Sequence, residues 1–282
     1  MNNNELTEKI EKLKQEIKNS DYILIGAGAG LSTSAGFLYD GKRFEDNFKD
    51  YIKKYGFTDM YSAGFYNFPT LEEYWAYFSL YVYINRFDIE ENETYLNLYN
   101  IVKDKNYFVI TTNVDGRFID SKFDKDKIFA VQGDFALFQC SKPCRQETFY
   151  NEKYIREMIK YKKEMKIPTE LIPKCPYCGR NMSMNLRADD TFVQDKNWDE
   201  QKNRYEKFLK MSDNSKILFL ELGVGFNTPS IIKYNFWRMT LNNKKSVYAS
   251  INLGECYCAS DIEERSICID YDIAEVLKKL IE

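Results

Sequence analysis

Short apolar runs of strand length alternate with helix-patterned segments along this chain, and that alternation narrows its fold more than any other feature. Asp21–Tyr–Ile–Leu–Ile–Gly26 reads as a buried strand ending in glycine. Further strands are expected at Tyr107–Thr112, Ile128–Val131, Ile217–Leu222, Val247–Ile251 and Ser266–Asp270. Leu6, Ile10, Leu13 and Ile17 recur at helical spacing and predict an amphipathic helix over 5–19, and a closing helix is expected over Ile273–Leu280. Thr70–Leu–Glu–Glu73 resembles a capping box opening a helix through about Phe87, packed through Leu71, Tyr74, Trp75, Phe78, Tyr81 and Val82. Thr228–Pro229 reads as an N-cap followed by proline at the first helical position, starting a helix through Met239. The pattern implies an α/β fold with a doubly wound, Rossmann-like parallel sheet.

Two cysteine pairs interrupt it. Cys140 and Cys144 are followed about thirty residues later by Cys175 and Cys178. Four thiolates in two tight turns are what a tetrahedral Zn²⁺ requires. Pro143, Pro176 and Gly179 suit those turns. The competing reading is four unrelated buried cysteines. A single domain over 1–282 is expected, with a core of about 5–36, 99–138 and 183–282. A helical module of about 37–98 and a zinc-binding module of about 139–182 complete it.

The formal charge of −3, with 40 basic and 43 acidic residues interspersed, disfavours a nucleic-acid or membrane binder. No apolar run approaches the roughly 18 residues of a membrane span, and the polar N-terminus lacks a secretory core, so a cytoplasmic location is expected. Seven cysteines fit a reduced compartment with metal ligation. Cys256, Cys258 and Cys268 read as small buried residues. The chain has no histidine, which excludes a Ser-His-Asp triad, a histidine base and a histidine metal ligand.

Gly28–Ala–Gly–Leu–Ser–Thr–Ser–Ala–Gly36 follows the first strand and runs into a helix start, the arrangement in which backbone amides approach a pyrophosphate. The motif does not meet the G-x-G-x-x-G spacing. In chain order come Thr111–Thr–Asn–Val–Asp115, Val131–Gln–Gly–Asp134 and Gly223–Val–Gly–Phe–Asn–Thr–Pro229. Ile251–Asn252 with Glu255, and Asp270–Tyr271–Asp272, close the series.

Together these blocks resemble the sirtuins, with the zinc pairs in the matching place. Two departures narrow the resemblance. Phe37–Leu–Tyr–Asp–Gly–Lys–Arg–Phe44 replaces the usual I-P-D-F-R stretch, and Gln132 stands where the catalytic histidine belongs. Both are similar to the macrodomain-linked bacterial class, as is Gln139–Cys–Ser–Lys–Pro–Cys144. That resemblance implies NAD-dependent protein ADP-ribosylation with release of nicotinamide, and a structural zinc. The implied acceptor is a lipoylated carrier similar to the glycine-cleavage H protein, with a macrodomain hydrolase removing the mark.

Asn113, Asp115 and Gln132 are the catalytic candidates. The resemblance assigns cofactor contacts to Ala27, Gly28, Ala29, Gly30, Ser32, Gly36, Phe37, Tyr39, Arg43, Phe44 and Thr112. It assigns further contacts to Gly223, Val224, Gly225, Asn227, Asn252, Leu253, Glu255, Tyr271 and Asp272. Arg43 is otherwise a solvated arginine, Asn113 and Asp115 an Asx turn, and Asp134 a substitute base.

Deacylation needs a base to activate a ribose hydroxyl. A glutamine amide has no titratable proton at useful pH, and losing such help costs about 10²–10⁴ in rate. A target carboxylate is already anionic and needs no base. The alternatives are a lysine deacylase, an NAD glycohydrolase, an NAD-binding module of low activity, and a zinc-ribbon adaptor.

Overall fold

The computed structural model describes residues 2–226 and 229–282. Its strands are β1 Tyr22–Ala27, β2 Asn106–Thr111, β3 Ile128–Ala130, β4 Gly133–Cys140, β5 Thr148–Tyr150, β6 Met182–Leu186, β7 Ile217–Leu222, β8 Val247–Ile251 and β9 Ser266–Ile269. Two compact units divide the chain. One comprises Met1–Gly36, Glu91–Gln132 and Asn197–Glu282, the other Phe37–Glu90 and Gly133–Lys196. Segments 37–98 and 139–182, expected as two modules, thus fall mainly within one unit, and β4 joins them there instead of the core.

The first unit holds a six-stranded parallel sheet in the order β3-β2-β1-β7-β8-β9. The order reverses between β1 and β7, which pair from Tyr22↔Ile217 to Ala27↔Leu222. In open α/β sheets, ligands bind at that switch point, beyond the carboxyl ends of the strands. The strands read as apolar runs because both faces are covered. Leu24, Phe108, Ile110, Phe219 and Tyr248 lie in one buried cluster. The predicted N-terminal helix, Asn3–Asn19, buries Leu6, Ile10, Leu13 and Ile17. The closing helix is Ile273–Ile281, capped by Asp272.

One helix begins later than expected. Thr228 lies outside the described residues, and the helix runs Lys233–Asn242, four residues beyond Pro229. Packing sets its position: a Cβ on Gly26 would lie 2.4 Å from Ile232 Cγ2 and 2.7 Å from Phe236, so this helix rests directly on β1. A further helix, Lys196–Ser212, covers the sheet through Trp198, Tyr205, Phe208 and Leu209.

The second unit combines helices Gly41–Tyr55, Met60–Ala63, Leu71–Val82 and Glu152–Tyr161 with the antiparallel sheet β5-β4-β6. Thr70 caps its helix by accepting from the Glu73 amide at 3.3 Å. The box is only half formed, because the Glu73 carboxylate is buried against Lys54 and Tyr55. Leu71, expected on the packed face, is 41% exposed, because it is the first residue of the helix and lies at its end, one turn before buried Trp75. The helix passes into one π-helical turn, Tyr83–Phe87, so the segment does reach Phe87. Among the described residues no helix is long and apolar enough to cross a membrane.

Candidate active site

The sequence-derived residues of the first unit gather at the carboxyl edge of its sheet. Ala27 ends β1, Thr112 and Asn113 follow β2, Gln132 follows β3, Gly223 follows β7, Asn252 follows β8, and Tyr271 follows β9. Chain connectivity alone places them there, since parallel strands share one carboxyl end.

The two glycine turns at the switch point interlock backbone to backbone. Gly28 N donates to Leu222 O at 3.0 Å, Gly30 N to Gly223 O at 2.9 Å, and Gly223 N to Ile251 O at 3.0 Å. A Cβ on Gly28 would lie 2.6 Å from Gly223 O, and one on Gly30 2.7 Å from Gly223 Cα. Gly223 itself has φ +63°, and its Cβ would lie 2.3 Å from Leu31 N. These glycines are therefore required by the mutual approach of two loops. Several donors expected for a pyrophosphate are spent internally, including Leu31 N on Gly28 O. Ala29, exposed at the first helical position, has no acceptor for its amide within its own helix.

Behind this turn lies a buried polar chain. Ser32 donates its hydroxyl to Asp115 Oδ2 at 2.6 Å. With its one proton committed, Ser32 Oγ accepts from Tyr95 OH at 3.0 Å and from Asn113 Nδ2 at 3.2 Å. Asn113 Nδ2 also donates to Gly28 O at 2.9 Å, leaving the carboxamide oxygen as the part able to meet a ligand. Asp115 Oδ1 accepts from the Arg117 amide at 3.2 Å. Burial, then the Asp115 carboxylate, hold the Tyr95 phenol well above its ordinary pKa, so it remains a donor. Tyr95 and Arg117 escaped sequence reasoning, because their partnership with this chain is tertiary.

Gln132 is half-buried, and its side chain makes no hydrogen bond among the described residues. Its backbone is firmly placed: the Val131 amide donates to Thr111 O at 3.0 Å, and Trp198 Nε1 donates to Val131 O at 3.1 Å. On the β8 side, Asn252 Nδ2 donates to Glu255 O at 3.1 Å, and Glu255 Oε2 accepts from the Phe226 amide at 3.3 Å. A Cβ on Gly225 would lie 3.1 Å from that carboxylate. Val224 is buried in the core, Leu253 is 71% exposed, and Tyr271 is half-buried. Asp272 Oδ2 accepts from Ser34 Oγ at 2.8 Å, tying the last helix to the glycine turn, whose end Gly36 is exposed. Asn227 lies outside the described residues.

Phe37, Tyr39, Arg43 and Phe44 belong to the second unit. Arg43 is no free surface cation: it donates to Leu38 O at 2.9 Å, Asn85 Oδ1 at 2.9 Å and Ile84 O at 2.7 Å. Phe44 is buried and stacks on Phe48, and Tyr39 packs on Tyr81. Phe37 lies 6.0 Å from the Arg43 guanidinium. Asp134, weighed as a substitute base, is buried and held by Arg86 at 2.8 Å and by the Ala136 amide at 2.7 Å. Its carboxylate is thus engaged by a guanidinium and a backbone amide within its own unit.

The four expected zinc ligands converge. Their sulfurs lie within 4.8 Å of one another, with Cys140–Cys178 at 3.7 Å and Cys144–Cys175 at 3.6 Å. Tetrahedral Zn²⁺ with bonds of about 2.3 Å places sulfurs about 3.8 Å apart, so the set fits the ion. The knuckle after Cys175 is a tight turn: its amide donates to Arg180 O at 2.7 Å, and Gly179, at φ +71°, donates to Cys175 O at 2.9 Å. Burial raises the Cys175 thiol, but the amides of Tyr177 and Cys178 and the adjacent thiols outweigh it and bring it down to about 7. A ligand sulfur is thus stabilised as thiolate by the backbone around it.

A parallel sheet in this order, a carboxyl-edge site of amides and one buried carboxylate, and a four-cysteine cluster define a sirtuin-type protein. The chain belongs to the sirtuin family. It is 38% identical over 274 residues to a protein ADP-ribosyltransferase of Staphylococcus aureus, spanning 97% of this chain and 87% of that one. It is 27% identical to a probable bifunctional ADP-ribose hydrolase/ADP-ribosyltransferase of Fusarium oxysporum, matching 95% of this chain but only 47% of that protein. An NAD-dependent protein deacetylase of Clostridium perfringens is 27% identical across 62% of the chain. Among solved structures, Sir2 bound to a propionylated peptide superposes with a TM-score of 0.61 at 14% identity, covering 97% of each chain. A Sir2 homologue in an ADP-ribose complex gives 0.59, also at 14% identity, over 96% of this chain and 94% of that one. These solved structures establish the fold. No protein-family model matches. NAD is the co-substrate that the sirtuin fold uses, and the four cysteines suit a structural zinc.

Proposed function

We propose that this chain is an NAD-dependent protein ADP-ribosyltransferase that hands ADP-ribose to a carboxylate of an acceptor protein. The observation that carries the reading is Gln132: a half-buried amide at the carboxyl end of β3, with its hydrogen-bonding groups unspent among the described residues. No histidine exists to take over a base role, and Asp134 is bound to Arg86. NAD supplies the leaving group, nicotinamide, and the electrophilic ribose carbon.

The chain's own residues do the rest. Asn113, braced by Gly28 O and Ser32, orients the nicotinamide-side ribose through its free carboxamide oxygen. Asp115 is fixed by Ser32 and the Arg117 amide, so its negative charge stands at a constant place near developing positive charge. Gln132 donates to and accepts from ribose hydroxyls without removing a proton. Asn252, Glu255, Tyr271 and Asp272 serve the adenosine side. An acidic acceptor supplies its own anionic nucleophile, so no step is left waiting for a base.

The acceptor class in this reading is a lipoylated carrier similar to the glycine-cleavage H protein. A macrodomain hydrolase would reverse the mark. The Fusarium relative, which joins ADP-ribose hydrolase to ADP-ribosyltransferase by name, supports that pairing. A cytoplasmic location accords with it.

The test is intact-mass analysis of a lipoylated H-type carrier after incubation with NAD, comparing the native enzyme with Asn113→Ala. A carrier that gains ADP-ribose only with the native enzyme supports the reading. Free ADP-ribose without carrier modification, or efficient acyl removal from lysine peptides, overturns it; the Clostridium relative makes the deacylase outcome the sharper competitor.

A further inference from the structure

The chain holds a second thiol cluster that the zinc site does not absorb. Cys256 and Cys258 lie on the segment after β8, and Cys268 lies within β9. All three are free and half-buried. Strand register brings them together: Cys268 is the direct cross-strand partner of Ser250, and Cys256 Sγ lies 3.2 Å from the Ser250 carbonyl oxygen. Cys256 and Cys268 thus both border Ser250, one through its sulfur and the other through the strand register. Cys258 and Cys268 pack against the buried core cluster of the sheet. The trio is not among the groups of described residues compact enough to hold a metal.

We propose that Cys256 and Cys268 form a reversible dithiol–disulfide pair whose oxidation by a hydroperoxide weakens NAD binding at the β8 end of the sheet. The consequence for NAD, although not the thiol pairing itself, rests on the functional reading above.

The environment separates the two roles. The neighbouring Cys268 thiol, foremost, and the Lys233 ammonium lower the Cys256 thiol below its ordinary value, whereas Cys268 is pushed upward by the Cys256 thiol and by burial. Cys256, on the loop and with the lowered value, is therefore the attacking sulfur. It displaces hydroxide from the peroxide O–O bond and becomes a sulfenic acid. Cys268 sulfur then attacks that sulfenic sulfur, forming the S–S bond and releasing water as its proton leaves with the hydroxyl. In sum, two thiols and one hydrogen peroxide give a disulfide and two waters.

The lever is the segment 252–258. It carries Asn252, Leu253 and Glu255, and its ties outward include Asn252 N to Ile269 O at 3.3 Å, Gly254 N to Asp270 Oδ1 at 2.7 Å, Glu255 Oε2 to the Phe226 amide, and the Tyr257 ring against Phe226. Drawing two sulfurs inside van der Waals contact pulls Cys256 toward β9. Glu255 is the residue before it, so its contact with the 223–226 loop is the first to be lost.

The experiment oxidises zinc-loaded protein with graded hydrogen peroxide, maps cross-linked peptides by mass spectrometry, and measures NAD affinity by calorimetry before and after dithiothreitol. A chelating dye reports zinc release separately. The proposal expects a Cys256–Cys268 cross-link at peroxide doses that leave zinc bound, with NAD affinity falling about tenfold and returning on reduction. Cys256→Ser and Cys268→Ser should bind NAD as the native protein does and ignore peroxide, while Cys258→Ser should respond normally. Absence of the cross-link, a Cys258–Cys268 link in its place, or a cross-link without change in affinity overturns the proposal. Failure of the reduced protein to bind NAD would instead sink the enzymatic reading, and the cross-link map would still decide the pairing.

Discussion

Ser32 donates its only proton to Asp115 across 2.6 Å, joining the turn after the first strand to the loop after the second. That bond makes a serine in a glycine loop answerable for the position of a carboxylate 83 residues later. Ser32→Ala removes the donor and leaves Asp115 Oδ2, Tyr95 OH and Asn113 Nδ2 each short of a partner in a buried space. Such losses cost about 1–3 kcal/mol. ADP-ribosylation, followed by nicotinamide release, should fall by about 10–100-fold in kcat. Ser32→Thr, which keeps the hydroxyl, should retain more activity than Ser32→Ala; equal activities in the two variants would refute the role.

Gln132 offers the converse experiment. Replacing it by histidine installs a group with pKa near neutrality where the ribose hydroxyls are expected. Lysine-peptide deacylation should rise from background by at least about tenfold, short of the 10²–10⁴ that a well-placed base supplies. Gln132→Ala should lower ADP-ribosyl transfer and leave deacylation at background. Substantial deacylation by the native protein, matched to the histidine variant in a peptide assay, would contradict the account of the amide.

The parallel core was legible because strands covered on both faces declare themselves as apolar runs: Ile217–Leu222 and Val247–Ile251 fall where the sequence places them. The four zinc cysteines were legible for a different reason, since only close pairs can bring four sulfurs to one point. Two long helices carried signals that dense charge masked. Trp198, Tyr205, Phe208 and Leu209 stripe Lys196–Ser212, and Phe44, Phe48 and Tyr51 stripe Gly41–Tyr55. Tyr95 was illegible in principle. Nothing local distinguishes it from any buried helical tyrosine, and only the fold sets it against Ser32. The glycine turn was located correctly, but sequence could not show that its amides serve a second loop before any phosphate.

Buried phenols give the fold an alkaline limit. Tyr51, Tyr77, Tyr81, Tyr95 and Tyr248 are each at most 6% exposed, and burial raises all five above the ordinary value. A raised folded pKa means the unfolded chain loses protons first as pH climbs. Stability is therefore fully present below about pH 10 and drains away above it, by about 1.4 kcal/mol per pH unit for each such tyrosine. Urea midpoints at pH 8 and pH 11 should differ accordingly. Tyr51 OH has no hydrogen-bond partner among the described residues, so Tyr51→Phe should be near neutral at pH 8 and flatten the alkaline loss. An unchanged slope in that variant would argue against burial as the cause.

Cys140 closes β4 while Cys175 and Cys178 lead into β6, so one ion at their sulfurs clamps the end of the antiparallel pair where β4 finishes and β6 begins. The register supports this, with Cys140 opposite Met182. Without metal, Cys140 and Cys175 are buried thiols beside two exposed ones, and the knuckles lose the centre that sets their turns. Structural zinc contributes about 10–16 kcal/mol of apparent binding energy in small zinc-finger peptides. A share of even about 4 kcal/mol here would lower Tm by roughly 8–16 °C in a chain of this size. Elemental analysis should find one zinc per chain, and chelation or Cys175→Ser should depress Tm by that amount. Zinc readdition should restore the chelated protein and not the variant, because three sulfurs leave the tetrahedron open. A metal-free native protein with the same Tm as the loaded form would show that hydrophobic packing around Phe138 and Trp75 holds this unit without the ion.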